Sequence, residues 1–415
     1  MIASLLRRGL ALAVLASALS APALADVVVQ GEQIIVDGKP FNARGASGQV
    51  GLAELKALGA TVVRTYGDES PAVLAEADKL GLKVIFGFWL EHPRRGFNYN
   101  DRASVERQLA VLRETVLRYK DSPALLMWGI GNEVEAELDD DSVVWPAIGE
   151  AAKLVKSLDP AHPRMAVIAE AGNGKIAKLM KSAPDIDALG VNSYGDALLD
   201  VAKRVRVQGW RKPLLITELG AEGQWQAGKK PWGAAVELTS TDKAARLRRY
   251  LHELTPATQG QILFYWGQKQ EVTPTWHSLF LPSGEMIEAA DVMAEQWGAP
   301  LKNHAPRIAA FAFQTPGDTF KPGATVTAKV SGLDPDKDPI TAEWHVMAES
   351  TDLGKAGDAE VVPAGFPQAT RNARAGSGEW SVDVAGLVPG AYRLFVVLHD
   401  GKGAAATGNL PFLIR

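Results

Sequence analysis

Eight short runs rich in Val, Ile and Leu recur between residues 41 and 267, and the stretch after each has helical periodicity. The runs are "FNARGA" (41–46), "TVVRTYG" (61–67), "KVIFGFWL" (83–90), "ALLMWGIGNE" (124–133), "MAVIAE" (165–170), "IDALGVNSY" (186–194), "PLLITELG" (213–220) and "QILFYWG" (261–267). Strand then helix, repeated, makes βα units and a parallel sheet, because a parallel neighbour needs a long crossover to bring the chain back to the same edge. In "DRASVERQLAVLRETVLRYKD", Val105, Leu109, Leu112, Val116 and Tyr119 share one helical face and are expected to pack inward. Eight such units in roughly 270 residues fit a closed (β/α)8 TIM barrel better than an open doubly wound sheet.

The ends of the chain read differently. Residues 1–25 hold Arg7 and Arg8, then the apolar "GLALAVLASALS", then "APALA", whose Ala23 and Ala25 suit a cleavage site: the pattern of a secretory signal peptide. The mature chain is expected to start near Asp26 and to work in the periplasm or outside the cell. No other segment approaches twenty apolar residues, so no stable membrane insertion is expected. Cysteine is absent, which excludes disulfides and thiol chemistry and leaves stability to packing. The barrel is assigned to residues 26–300. After it, "GAPLKNHAPRI" carries Pro300 and Pro306, and residues 301–308 read as a linker. Residues 309–415 then show "ATVTAKVSG", "TAEWHVM", "EWSVDVAG" and "AYRLFVVLHD" between Gly, Pro and Asp turns, as expected of a small all-β immunoglobulin-like sandwich. This accessory domain is similar to the immunoglobulin-like or cadherin-like domains of secreted bacterial enzymes. Its Asp334, Asp336 and Asp338 have a spacing that could cage calcium, but in a Pro-rich turn the preferred reading is that they cap it.

A net charge of −4 with scattered basic residues gives no track for a nucleic-acid backbone, so nucleic-acid binding is not expected. The seven His are dispersed, there is no HExxH, and "RGASGQVG" lacks an ordered dinucleotide signature; no metal and no cofactor is implied. No convincing Ser-His-Asp set supports a protease or esterase.

Active sites on this barrel form at the carboxyl ends of the strands. The unusual residues fall there: Arg64 and Tyr66 on strand two, Trp89 with Glu91 and His92 on three, Asn132 and Glu133 on four, Asn192 and Tyr194 on six, Glu218 on seven, and Trp266 followed by Gln268 on eight. Six polar strand ends around a ring imply one polar cavity. Glu133 and Glu218 sit on opposite sides of such a mouth, and glycoside hydrolysis needs a facing carboxyl pair.

With "RTY", "GNE", "NSYG", "TELG" and "FYW" in that order, residues 30 to 300 resemble a large clan of retaining β-glycosidases on (β/α)8 barrels, especially the barrel of the family of β-galactosidases and β-glucuronidases. They are also similar to the β-1,3-glucan-modifying barrels. The resemblance implies that Glu133 is the acid/base and Glu218 the nucleophile, that Asn132 bonds the sugar 2-hydroxyl, and that Arg64 and Tyr194 hold Glu218 ionised and oriented. It also implies a substrate contact for His92 and a sugar floor at Trp266. An acid needs apolar surroundings and a nucleophile needs a cation and a hydroxyl donor, so the roles agree with the residue types. Arg64 could instead make a structural salt bridge, Tyr194 could simply pack, and Asn192 could contact substrate or cap a loop.

Trp89, Trp225, Trp232 and Trp276 lie at strand ends or in the following loops, where an indole can cover the C–H face of a sugar or pin a loop; Trp128, inside strand four, reads as core. Gln224, Gln226, Gln268 and Gln270 favour a neutral glycan, and the acidic "EVEAELDDD" would repel uronate-rich chains if it faced the cleft. The leading expectation is retaining hydrolysis of a β-linked, neutral oligo- or polysaccharide, with β-glucan favoured. Transglycosylation through the same intermediate comes second, and a noncatalytic glycan-binding barrel third. No protein partner can be named.

Overall fold

The computed structural model describes residues 26–67, 70–172, 174–355 and 357–415; residues 1–25, expected from the sequence to be a signal peptide, lie outside them. Among the described residues no helix is long and apolar enough to cross a membrane.

The chain begins with an antiparallel meander, β1 (Val27–Gln30), β2 (Gln33–Val36) and β3 (Lys39–Phe41). Eight parallel strands follow: β4 (Ala43–Gly48), β5 (Val62–Arg64), β6 (Lys83–Phe88), β7 (Leu125–Ile130), β8 (Arg164–Ala169), β9 (Ala188–Tyr194), β10 (Leu214–Gly220) and β11 (Gly260–Trp266). They close into a barrel in sequence order, β11 pairing with β4. Each is followed by a helix: α1 (Leu52–Ala57), α2 (Ser70–Leu80), α3 (Arg102–Tyr119), α4 (Val144–Leu158), α5 (Lys175–Ser182), α6 (Val201–Val207), α7 (Ser240–Leu254) and α8 (Glu288–Trp297). The expected (β/α)8 barrel is present, with every unit.

Burial on both faces explains the uninterrupted Val/Ile/Leu runs, since helices cover the outside and side chains fill the inside. On α3, Val105, Leu112 and Val116 are buried and Leu109 and Tyr119 pack beside them, while the Asp101 side chain caps the helix by accepting from the Ala103 N–H. Trp128 is core: its indole is fully buried and donates to Asp159 at 2.8 Å.

The meander plugs one end of the barrel. Val27, Ile34 and Val36 pack on Ala43, Val62, Ile85, Met127, Leu215 and Ile262, which lie in the first halves of their strands. The opposite end, where the strands finish, is left as the mouth. The apolar pattern places the first strand from Phe41 and misses the meander, although Asp37 and Gly38 supply the two left-handed positions of a tight hairpin turn (φ 50° and 74°).

Beyond the barrel, β12 (Met286–Ile287), β14 (Thr319–Phe320), β16 (Thr341–Ala348), β19 (Gly390–His399) and β20 (Ala404–Ile414) form one sheet. The facing sheet holds β13 (Arg307–Phe313), β15 (Val326–Leu333), β17 (Thr370–Ala375) and β18 (Glu379–Val384). Together they make the β-sandwich. β12 leaves the barrel just before α8 and pairs with β20, so the domains share a sheet edge. Buried Arg393 donates to the Ala235 carbonyl at 2.8 Å, and Asn409 donates to Glu237 at 2.6 Å, which adds polar specificity to the junction.

Asp334, Asp336 and Asp338 cluster within 4.8 Å of one another. Asp334 accepts the N–H groups of Asp336 and Asp338, Asp336 faces His304, and Asp338 pairs with Lys402 at 2.7 Å. This is the capped turn of the preferred reading.

Candidate active site

Two local irregularities aim the side chains at the mouth. On β10, Leu215 packs inside the barrel and Ile216 outside, so strict alternation would turn residue 218 outward. A bulge between Ile216 and Glu218 inserts Thr217 and reverses the parity, bringing Glu218 opposite Asn192 and into the mouth. The bulged Thr217 lies close over β9, where a Cβ at Gly190 would come 2.7 Å from its methyl group, so this position is kept free of a side chain. At the end of β7, Gly131 (φ 70°) and then Glu133 (φ 51°) turn the chain through left-handed backbone. Such a conformation costs a non-glycine residue about 1–3 kcal/mol and is characteristic of functional positions.

Glu218 is 7% exposed and accepts three hydrogen bonds. Arg64 Nη1 (3.1 Å) and the Tyr66 hydroxyl (2.8 Å) reach Oε1, and the Tyr194 hydroxyl (2.8 Å) reaches Oε2. Arg64, itself buried, extends Nη2 to Asn132 Oδ1 at 2.6 Å. Asn192 Nδ2 then bonds Asn132 Oδ1 at 3.1 Å and Glu133 Oε1 at 2.7 Å, while the Thr217 hydroxyl donates to Asn192 Oδ1 at 2.8 Å. One continuous network therefore links the two glutamates. Asn192 belongs to it and does not cap a loop.

The two carboxyl groups are treated oppositely. No cation among the described residues pairs directly with Glu133; burial first, and the neighbouring Glu218 charge second, push it up to about 8. It holds a proton at neutral pH. Glu218 is surrounded by a guanidinium and two phenols, and burial together with its charge pushes both Tyr66 and Tyr194 well above the ordinary phenol range, so each phenol keeps its proton and donates.

Both glutamates line a cavity of about 470 Å³, with Asn132, Tyr66, Tyr194, Trp89, Trp225 and Gln268 among its walls. Phe264, Tyr265 and Glu271 line it too, as do Gly357, Ala359 and Glu360 from the sandwich. A second compartment of about 1080 Å³ adjoins it and shares Glu133, Tyr194, Trp225 and Glu360; Trp232 lies here.

Three expected contacts lie elsewhere. Trp266 is 1% exposed, packs on Phe280 and donates its indole N–H to the Gly51 carbonyl at 3.1 Å. The cause is a second bulge, between Leu263 and Trp266, which turns residue 266 toward the helices and leaves Phe264 and Tyr265 facing the mouth. Trp276 is buried under the loop that follows β10 and donates to the Glu222 carbonyl at 3.0 Å, pinning that loop. His92 is buried behind Trp89, stacked on it with centroids 4.7 Å apart, and Arg94 Nη1 lies 2.6 Å from its Nδ1. Burial, then Arg94 and Arg95, lower its pKa to about 4, so it supports Trp89 as a neutral ring. Sequence reasoning places Tyr66 among the polar strand ends without giving it a role, and it does not single out Thr217 or Glu271 as site residues.

No family model matches the sequence. Human β-glucuronidase is 27% identical over 235 residues, covering 47% of this chain and 33% of that protein. Mannan endo-1,4-β-mannosidase F of Aspergillus clavatus is 28% identical over 238 residues, covering 46% of this chain and 53% of that one. The chain thus spans about a third of the length of the β-glucuronidase it matches. Among solved structures, the GH2 β-galacturonidase of Eisenbergiella tayi superposes with a TM-score of 0.52 at 18% identity, covering 68% of this chain and 55% of that one, a likeness of fold. A closed parallel barrel with glutamates at the ends of its fourth and seventh strands and these sequence similarities agree: the chain is a (β/α)8 barrel similar to β-glucuronidases and endo-β-mannosidases.

Proposed function

We propose that this protein is a retaining glycosidase that cleaves a β-linked, neutral oligo- or polysaccharide outside the cytoplasm. The observation that carries the reading is the opposite treatment of two carboxyl groups in one cavity. Glu133, with its pKa pushed to about 8, gives its proton to the leaving oxygen. Glu218, oriented by Arg64, Tyr66 and Tyr194, attacks the anomeric carbon to form a glycosyl ester. Glu133, now a carboxylate, takes a proton from water as water attacks that ester, and the sugar leaves with its original configuration.

Neutral substrate follows from charge. The names of several relatives point to uronides, but the smaller cavity already holds Glu133, Glu218, Glu271 and Glu360, and its Lys269 is paired with Glu271 at 2.9 Å. Among the described residues lining this cavity, a uronate carboxylate would meet no unpaired cation. β-Glucan and β-mannan are therefore the favoured polymers. Transfer to a second sugar in place of water is the second reading, supported by the large compartment on the Glu133 side, which has room for an acceptor.

The test is covalent trapping. Activated 2-deoxy-2-fluoro glycosides of glucose and mannose should inactivate the protein and add one glycosyl group to the peptide carrying Glu218. Glu133→Ala should lose activity on polysaccharide and regain turnover of activated glycosides with azide, yielding the β-glycosyl azide. Inverted products, or a label on another residue, would refute the assignment.

A further inference from the structure

The connection between β16 and β17 occupies residues 349–369. Loops longer than about 12–15 residues are uncommon in compact domains and usually carry function. This one leaves its own domain and lies against the barrel mouth. Asp358 pairs with Arg94 at 2.8 Å and with Arg95, both from the loop after β6. Lys269 donates to the Gly357 carbonyl at 2.8 Å, and the Val272 N–H donates to Glu360 Oε2 at 2.6 Å, both from the loop after β11. The other oxygen of Glu360 accepts the Gly354 N–H at 3.0 Å, which stiffens the loop between its anchors. Anchors on two separate barrel loops fix it in place across part of the opening.

Behind this wall lies the 1080 Å³ compartment. Barrel residues Trp225 and Trp232 line one side, and Ser350, Leu353 and Lys355 of the sandwich line the other. It reaches Glu133 and not Glu218, whereas the smaller cavity reaches both. An acid/base touches the leaving oxygen while a nucleophile lies beneath the ring being cleaved. A space bordered by the acid alone is consequently on the leaving-group side.

Its chemistry suits sugar rings. Trp225 is 59% exposed, its ring nearly perpendicular to Tyr194 with centroids 5.3 Å apart and packed against Gly223, so much of the indole is left to the compartment. Leu353 is 57% exposed. Trp232 lines the same compartment and adds indole surface on its barrel side. Resting on the reading of Glu133 as the acid, we propose that the sandwich loop and the barrel loop after β10 together form a binding compartment for two or more sugar units on the leaving-group side of a β-linked oligosaccharide, so that the accessory domain is part of the active site.

The test is binding by full-length Glu133→Gln to cello-, laminari- and manno-oligosaccharides of two to five units, followed by calorimetry. In at least one series, affinity should rise tenfold or more from two units to four. Trp232→Ala and Leu353→Asp, each added to Glu133→Gln, should cut that ratio below threefold. Unchanged melting temperatures exclude misfolding as the cause. Affinity independent of chain length, a rise that survives both substitutions, or no binding in any series would overturn the proposal. Trapping at Glu218 is read separately, so a chain that forms the glycosyl ester but shows no length-dependent binding retains its proposed chemistry and loses this compartment.

Discussion

Replacing Glu133 by Gln should stabilise the protein, and only above acid pH. Folding moves this carboxyl from an ordinary 4.5 to about 8. Below pH 4.5 it is protonated in both states and contributes nothing to the pH dependence. As pH rises from 4.5 to 8 the unfolded chain releases the proton and the folded one keeps it, so the unfolded state binds fewer protons and stability falls; above 8 the loss is complete. At about 1.4 kcal/mol per factor of ten in acidity, the shift sets an upper bound of about 5 kcal/mol, and partial access of Glu133 to the cleft brings the expected loss to about 2–3 kcal/mol. The neutral amide of the Glu133→Gln variant carries no such penalty, and its carbonyl can still accept the Asn192 amide proton, as Glu133 does at 2.7 Å. Urea unfolding of both proteins from about pH 4.5 to about pH 9 should give curves that coincide at the acid end and separate steadily to about pH 8. The wild-type pH profile of kcat/KM should hold across that range and lose activity only as pH rises through about 8, because the acid must hold its proton. Parallel stability curves, or an alkaline limb below about pH 6, would refute the idea that burial and Glu218 keep Glu133 protonated.

Further substitutions separate the parts of the site. Tyr66→Phe removes one charge-assisted hydrogen bond to Glu218, worth about 1.5–3 kcal/mol, and should lower kcat by about 10–100-fold with little change in melting temperature; a loss under twofold would remove Tyr66 from the machinery. Arg64→Met should destabilise the fold by about 3–5 kcal/mol and abolish turnover, and Arg64→Lys should not restore rate, since one ammonium cannot span Glu218 and Asn132 as the two guanidinium nitrogens do. Trp266→Ala should cost about 3–5 kcal/mol in denaturant unfolding, whereas Phe264→Ala should raise KM.

The barrel was legible because its strands are buried on both faces and so appear as unbroken apolar runs, and the site was legible because polar residues end those runs. Arg64, Asn132, Glu133, Asn192, Tyr194 and Glu218 each close a strand, and the structure joins all six in one network. What stayed hidden depends on contacts remote in sequence. Nothing in the local pattern of Asp358 or Glu360 connects them to Arg94 or Val272, because tertiary packing alone brings the sandwich loop to the mouth.

The bulges mark a different boundary, and they show why knowing a strand's end is not enough to know which side chains face the substrate. A run of residues carries its inward or outward parity only while the ladder is regular, and one inserted residue inverts everything after it. On β11 the insertion sends Trp266 into the packing beneath Gly51 and gives the mouth to Phe264 and Tyr265. On β10 it does the reverse, since a regular strand with Leu215 inside would carry Glu218 away from Arg64 and toward the helices. Deleting Thr217 should therefore cost all activity even though both glutamates, Arg64 and both tyrosines remain. A deletion variant that folds and still forms the glycosyl ester at its shifted glutamate would show that the bulge does not set the nucleophile's direction.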